Sequence, residues 1–537
     1  VRSEVVHRYL LLTLTGKPLT KISNITGLLF ILLICTVTLL AFYGLIAFSG
    51  QGADLDLLTD SYFHSILIFS IKQALLSALI STLLGWPIAR ALYYLPKLYF
   101  KRTFLSLTLL CFVLPTLVLI TGFVSLLGSN GFLTPLMGEE WSLYGLHGII
   151  LAHVYLNLPF AIRAFYGQLQ NIPNTSWILA RQLKFSPWQK LSIIEWPALR
   201  ANYALTFGFI FILCFNSFAV VLALGGGPQS TTLEVAIYQA LKYDFNIGEA
   251  LTLAWSQLLI AGCFFILLYR SNSIAWLNKD SHLGQWQSTQ SAMSKIILCA
   301  IYIATFSFML APLIALIPGV FAANYSVAVL MSIGEALALT LLLGFSCAIL
   351  AMIIAYWIMQ PIRHTLLKQQ TSLHIIYQWL ANHSLIAPAM VLSVGLYILF
   401  LPIMDLDSYG MTFVVILNVL MVIPFAIQQI RARLIQFDRD YGMLSSSLKL
   451  GFWQRFSIEW HYAKSILVST FSLVLLLAMG DVAIFSIFGS DQLKTLPWLI
   501  YQYASSYRIN EASLASAILL SIYAFLLLKL ERAKNNA

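Results

Sequence analysis

Long apolar stretches separated by short charged ones predict an all-α polytopic membrane protein of about twelve transmembrane helices, arranged as two tandem six-helix halves. Three observations carry this fold class: the composition, the length of the apolar runs, and the repetition of the pattern along the chain. Of 537 residues, 60% are hydrophobic and 10% charged. The mean hydropathy of +0.84 is too high for a chain that must cover itself with a solvated surface. The formal net charge is +10, but Lys and Arg cap the apolar runs rather than forming one stripe, which fits orientation in a bilayer and not nucleic-acid binding. Cys35, Cys111, Cys214, Cys263, Cys299 and Cys347 lie within or at the ends of apolar runs without metal-site spacing, so they are expected as small core residues.

Crossing ~30 Å of hydrocarbon takes roughly 20 apolar residues. Runs of that length fall at about 26–48, 64–94, 103–127, 145–169, 199–224, 247–269, 295–317, 329–359, 376–401, 410–430, 464–489 and 508–529. The second and eighth are long enough to tilt or to emerge from the membrane. The first is too long and too late for a signal-peptide core, and no small-residue cleavage site follows, so it is expected to be retained.

Charge sets the expected orientation. Basic residues occupy every second connection: Arg2, Arg8, Lys17 and Lys21 before the first span, then Lys97, Lys101 and Arg102, then Arg181, Lys184, Lys190 and Arg200. The series continues with Arg270 and Lys279, Arg363 and Lys368, the group from Arg431 to Arg455, and Arg532 and Lys534. Alternate connections carry Asp54, Asp56, Asp60, Glu139, Glu140, Asp405 and Asp407, with Lys242, Lys494 and Arg508 as basic exceptions. The positive-inside rule then puts both termini in the cytoplasm.

The halves repeat one another. Ser70-Ile71-Lys72-Gln73-Ala74-Leu75 returns as Ser332-Ile333-Gly334-Glu335-Ala336-Leu337, and Pro115, Val118, Leu119 and Gly122 return at the same spacing as Pro388, Val391, Leu392 and Gly395. Pro159-Phe160-Ala161-Ile162 matches Pro424-Phe425-Ala426-Ile427, and Ile237-Tyr238-Gln239 matches Ile500-Tyr501-Gln502. Matches in one order at a near-constant offset indicate duplication. The expected division is a first half 1–270 with its core at about 62–269, a linker 271–294 rich in Ser, Gln and Asn, and a second half 295–537 with its core at about 329–530. An even number of crossings keeps the halves parallel, so a pathway is expected at their interface. Prolines inside the spans have two readings, as pivots or as ordinary tenants of membrane helices.

A charged, aromatic segment also occurs twice, as 183–196 (LKFSPWQKLSIIEW) and 448–460 (LKLGFWQRFSIEW), each in a basic connection. A turn there needs no such length, so each segment is expected to be a handle for something outside the bilayer. Trp188 and Trp453 are the natural anchors for an interface, with basic neighbours meeting an acidic rim; the other reading places them as belts at the lipid surface. Glu195 and Glu459 are expected to bond backbone or a nearby Arg. Gly225-Gly226-Gly227-Pro228 ends the fifth span in a sharp turn, either a gate contact or a plain loop. Lys72, Glu335 and Asp481 are charges within apolar runs, a costly placement that often marks function.

The twin segments resemble the cytoplasmic motif of ATP-binding-cassette importer permeases, roughly Glu-Ala-Ala, a Gly three residues on, and later Ile-x-Leu-Pro. Ala180, Leu183 and Pro197 match it, while Lys184 stands at the Gly and Ile178 and Leu179 at the opening. In the second copy Met443, Leu444 and Ser445 replace the opening triplet, Lys449 the Gly and His461 the Pro, with Leu448, Trp453 and Glu459 kept from the twin. The run 218–241, with Tyr144-Gly145-Leu146 and Leu151-Ala152-His153 before it, is similar to the thiamine importer permeases of Gram-negative bacteria, and this likeness spans both halves. It implies two tandem type I permease units in the inner membrane, forming a path for a small-molecule substrate. It also implies two copies of a cytoplasmic ABC ATPase that bind the ATP and a periplasmic substrate-binding protein as partners, with no cofactor in this chain. No G-x-x-x-x-G-K-[ST] phosphate cradle is present, so the chain is expected not to be an enzyme. Ferric-iron permeases share the Gly-Gly-Pro loop and the duplication and remain an alternative. A twelve-helix secondary transporter is a weaker one, having no need of handles, and an intramembrane metalloenzyme lacks any H-E-x-x-H motif.

Overall fold

Apolar runs of this length leave their backbone groups no partner but their own, and helices result. The computed structural model describes residues 18–47, 56–95, 98–138, 140–271, 291–385, 388–448, 450–490 and 493–535, and no strand occurs among them. Arg2, Arg8, Lys17, Asp54, Lys97, Glu139, Lys449 and most of the linker, 272–290, lie outside the described residues. In chain order the helices are α1 Pro18–Ala47, α2 Ser61–Tyr94, α3 Lys101–Val113, α4 Thr116–Leu127, α5 Leu146–Gln170 and α6 Asn174–Gln182. A helical turn Pro187–Gln189 and a π-helical turn Lys190–Glu195 lead into α7 Trp196–Phe215, followed by α8 Ala219–Leu224, α9 Leu233–Lys242 and α10 Ile247–Ser271. The second series is α11 Ala292–Ile314, α12 Leu316–Ala322, α13 Val327–Leu367, α14 Thr371–Asn382, α15 Ala389–Phe400, α16 Leu406–Ser447, α17 Phe452–Met479, α18 Ala483–Phe488, α19 Leu496–Ser505 and α20 Ile509–Asn535.

Among the described residues, nine helices are long and apolar enough to cross a membrane, or up to eleven spans if each of two bent pairs is one span. The expected ends shift where proline or a polar pair breaks the backbone ladder. The third expected span is α3 and α4, bent by 106° at Leu114-Pro115. The ninth, 376–401, is not one helix: α14 and α15 are separate, and Pro388 has the extended backbone of an N-cap. The fifth and eleventh end early, at Phe215 and Met479, and each is followed by a short helix, α8 or α18. In the opposite sense α13 and α16 run for 41 and 42 residues. At 1.5 Å per residue they are about 60 Å long, twice the hydrocarbon thickness.

Contacts gather the chain into two compact units, one from the described residues of Val1–Gly50, Ala338–Leu493 and Phe525–Ala537, the other from Gln51–Leu337 and Lys494–Ala524. In the first, α1 packs on α15 and α14, and α16 on α17 and α18. In the second, α2 packs along α5 and α7, and α11 lies against α2 and α4. The repeated glycines explain how the leading helix of each series docks. A Cβ at Gly395 on α15 would sit 2.7 Å from the Ala41 carbonyl carbon of α1, and one at Gly122 on α4 would sit 2.9 Å from that of Pro312 on α11. Real Cβ atoms do not approach so closely, so glycine at the twin positions permits two equivalent close crossings. Of the cysteines, Cys111, Cys214 and Cys347 are buried as expected of core residues, whereas Cys263 is exposed on apolar α10.

Candidate functional site

The first handle begins where α6 ends. Phe185 N–H donates to the Ala180 carbonyl at 2.9 Å and Lys184 takes a left-handed φ of +52°, the geometry that closes a helix and usually employs glycine. Lys184 thus holds a conformation that a glycine adopts at less cost. Ser186 then caps the next turn: its N–H donates to Gln189 Oε1 at 2.8 Å, and Gln189 N–H donates back to Ser186 Oγ at 3.3 Å. Trp188 stands on this turn with 73% of its surface exposed. Ala180 is buried, Leu183 exposed, and Pro197 follows the π turn directly at the start of α7.

The second handle repeats the design on a straighter frame. Leu450 N–H donates to the Ser445 carbonyl at 3.2 Å, as Phe185 does to Ala180. Gly451, with φ −68° and ψ 165° against −66° and 162° for Ser186, donates its N–H to Gln454 Oε1 at 2.9 Å. Trp453 is 76% exposed in the same position of its helix, and Leu448 is exposed beside it. Lys449 lies outside the described residues.

The copies differ by one residue. Counting from Leu183 and Leu448, every position pairs at an offset of 265 up to Ile193 and Ile458; Ile194 is then surplus, and Glu195 and Trp196 pair with Glu459 and Trp460. The surplus residue is where the π-helical turn Lys190–Glu195 lies, while α17 is regular. A π turn is how a helix absorbs an insertion without losing register, and it brings Glu195 to the same place as Glu459.

Both glutamates point inward. Glu195 is fully buried, accepts from the Tyr94 hydroxyl at 2.5 Å and pairs with Arg90 Nε at 2.8 Å. Glu459 is likewise buried; it accepts from the Tyr356 hydroxyl at 2.8 Å and pairs with Arg363. Here the network is larger. Arg363, 3% exposed, also makes a two-pronged pair with Asp438 at 2.6 and 2.7 Å, and Arg455 reaches both Asp438 at 2.7 Å and Glu459 at 3.4 Å. Two guanidinium groups and two carboxylates cancel in charge, the condition under which burial of ions is tolerated. Asp438 pairs at the 265 offset with Pro173, which breaks the first copy between α5 and α6. The second copy keeps α16 continuous through this point.

The sequence marked Glu195 and Glu459, with backbone or a nearby Arg as the expected partner; the Arg is present in both, as Arg90 and Arg363, but the tyrosines that share each carboxylate were not singled out. A signal existed: Tyr94 and Tyr356 are separated by 262 residues, the offset of Ser70 and Ser332. The glycine loop is organised by the other segment singled out beside it. Gly226 and Gly227 have φ of +71° and +146°, a Cβ on Gly226 would lie 2.8 Å from Tyr144 Cβ, and Gly145 N–H donates to the Leu224 carbonyl at 2.7 Å. Gly225 follows α8, and Pro228 opens a 3-10 turn before α9. Lys72 on α2 and Glu335 on α13 are exposed, and no ion pair joins them to a described residue. Asp481 lies in the break between α17 and α18 and accepts from Ile484 N–H at 3.1 Å, so it caps the short helix.

No family model matches the chain. It is 35% identical to the thiamine transport system permease protein ThiP of Haemophilus influenzae over 475 residues, 86% of this chain and 87% of that protein. With the protein of the same name from Escherichia coli K12 it shares 32% over 530 residues, 96% and 97% of the two chains. A probable sulfate transport system permease protein of Chlorella vulgaris is 26% identical over 231 residues, which make up 83% of that shorter protein and 40% of this one. Full-length similarity at this level, on an all-helical chain with multiple membrane-length spans, places the protein among multi-pass transport permeases, and it belongs to the family of thiamine transport system permease proteins.

Proposed function

We infer that this chain is the membrane permease of a thiamine or thiamine phosphate importer, and that it has no engine of its own. Two copies of a cytoplasmic ABC ATPase bind and hydrolyse the ATP, one on each handle, and a periplasmic binding protein delivers the substrate. The observation that carries this reading is the pair of matched handles, each presenting an exposed tryptophan and each rooted by a buried glutamate. In the first, Ala180, Leu183, Lys184, Trp188, Glu195 and Pro197 take part in coupling; in the second, Leu448, Lys449, Trp453 and Glu459. ATP draws the two ATPases together, the handles approach, and the helices attached to them turn as packed bodies, so that the path between the repeat halves 1–270 and 295–537 opens to one side at a time.

In this account the chain lies in the inner membrane with both termini cytoplasmic, as the basic connections favour. The loop Gly225–Pro228 faces the binding protein, and Lys72, Glu335 and Asp481 are polar groups at membrane depth with a part in transport. The chain itself holds no cofactor. Purification with the proteins encoded beside it tests the reading. Co-elution with an ABC ATPase, together with a neighbouring binding protein that takes up thiamine, is the expected result; a binding protein that holds ferric iron and ignores thiamine contradicts the substrate, and elution without an ATPase contradicts the mechanism.

A further inference from the structure

We propose that Tyr94 and Tyr356 are positioning residues that fasten each handle to a long helix, and that the two fastenings differ in stiffness. The inference rests on the coupling reading above and adds to it the parts that transmit the motion. A handle moves a span only if its root cannot slip, and the root of each handle is the buried glutamate one helical stretch beyond the exposed tryptophan. From twin positions on α2 and α13 a tyrosine hydroxyl donates to that carboxylate, at 2.5 Å to Glu195 and 2.8 Å to Glu459. Hydrogen bonds to an ionised acceptor away from water are short, directional and strong. The tyrosine ring also packs against an aromatic neighbour: Tyr94 edge-on against buried Trp177 of α6 at 6.0 Å, and Tyr356 edge-on against Phe456 of α17 at 5.4 Å. Each tyrosine therefore ties its long helix to the carboxylate and to an aromatic ring, that of α6 just before the first handle or that of the second handle itself.

The asymmetry follows from the surroundings. Around Glu459 the tyrosine is backed by Arg363, Asp438 and Arg455, on an unbroken α16 and a regular α17. Around Glu195 the support is Arg90, 29% exposed, on a handle that follows the chain break at Pro173 and contains the π turn. The second handle is thus a stiff lever. The first yields under load and depends more on contact with its ATPase.

The test uses the whole complex of permease, ATPase and binding protein in vesicles, reading thiamine accumulated per ATP hydrolysed. The ratio is expected to fall about tenfold in Tyr94→Phe, the lower end of what loss of one hydrogen bond to a charged group produces, and about threefold in Tyr356→Phe, where Arg363 and Arg455 still hold Glu459. Elution and melting midpoint of the complex should stay close to wild type. Tyr155→Phe is the control, because Tyr155 is also buried and donates its hydroxyl, at 2.6 Å to the Met309 carbonyl, away from both handles. An unchanged ratio in the double variant overturns the proposal, and so does an equal fall in Tyr155→Phe. If Tyr356→Phe does not assemble, Tyr94→Phe decides alone, since Arg90 still holds Glu195 there. A wild-type complex without nucleotide-dependent uptake instead overturns the transport reading itself.

Discussion

Trp188 and Trp453 are large apolar side chains that the protein leaves mostly in the open, each on a turn closed by a glutamine back-bond. Their removal creates no core cavity, so Trp188→Ala and Trp453→Ala should leave the melting midpoint almost unchanged. Each should cost about 2 kcal/mol of ATPase docking, as loss of an interface anchor does, measured as weakened binding of purified ATPase to the permease. The buried glutamates behave in the opposite way. Glu459→Ala leaves Arg363 inside the protein with half its charge partners and should cost about 3–5 kcal/mol, whereas Glu195→Ala leaves Arg90 able to reach water and should cost well under half of that. Thermal melting in detergent compares the two. The two handles were legible in the sequence because their charges break the apolar pattern. Tyr94, Tyr356, Arg90 and Arg363 were not, because a Tyr or Arg at the end of a span reads as an interface anchor until its distant partner is known.

At the scale of elements, most spans could be read from length and hydropathy, and the failures have a common cause. Sequence windows register apolarity, which continues across Pro115, Asn216, Pro388 and Gly480, while the backbone ladder does not. The π turn was hidden for a related reason: one surplus isoleucine in an apolar stretch changes no hydropathy but must change helical register. Its role predicts an unusual asymmetry in tolerance to deletion. Removing Ile194 should convert the π turn to regular helix, with Glu195 still at Tyr94 and melting close to wild type. Removing Ile458 from regular α17 turns everything beyond it by about 100° and carries Glu459 away from Tyr356. That variant should fail to yield folded protein, as judged by gel filtration.

For the whole molecule, the duplication was legible as motif order, and it recurs as paired devices: two glycine crossings, two capped tryptophan turns and two tyrosine–glutamate roots. What the repeat could not reveal is which helices pack together. α1 joins the unit that contains α13 from Ala338 onward, and α11 joins the unit built on α2 to α10, although each leads the other series in the sequence. Hydropathy carries no information on partners when every apolar face is equivalent to lipid. Tandem copies with unequal handles suit a permease worked from outside by a pair of identical motors. Uptake of labelled thiamine into sealed vesicles bearing the binding protein decides whether that is so. Accumulation should require both the ATPase and ATP and should be absent with the permease alone under an imposed proton or sodium gradient; accumulation by the permease alone, driven by such a gradient without nucleotide, would contradict the account.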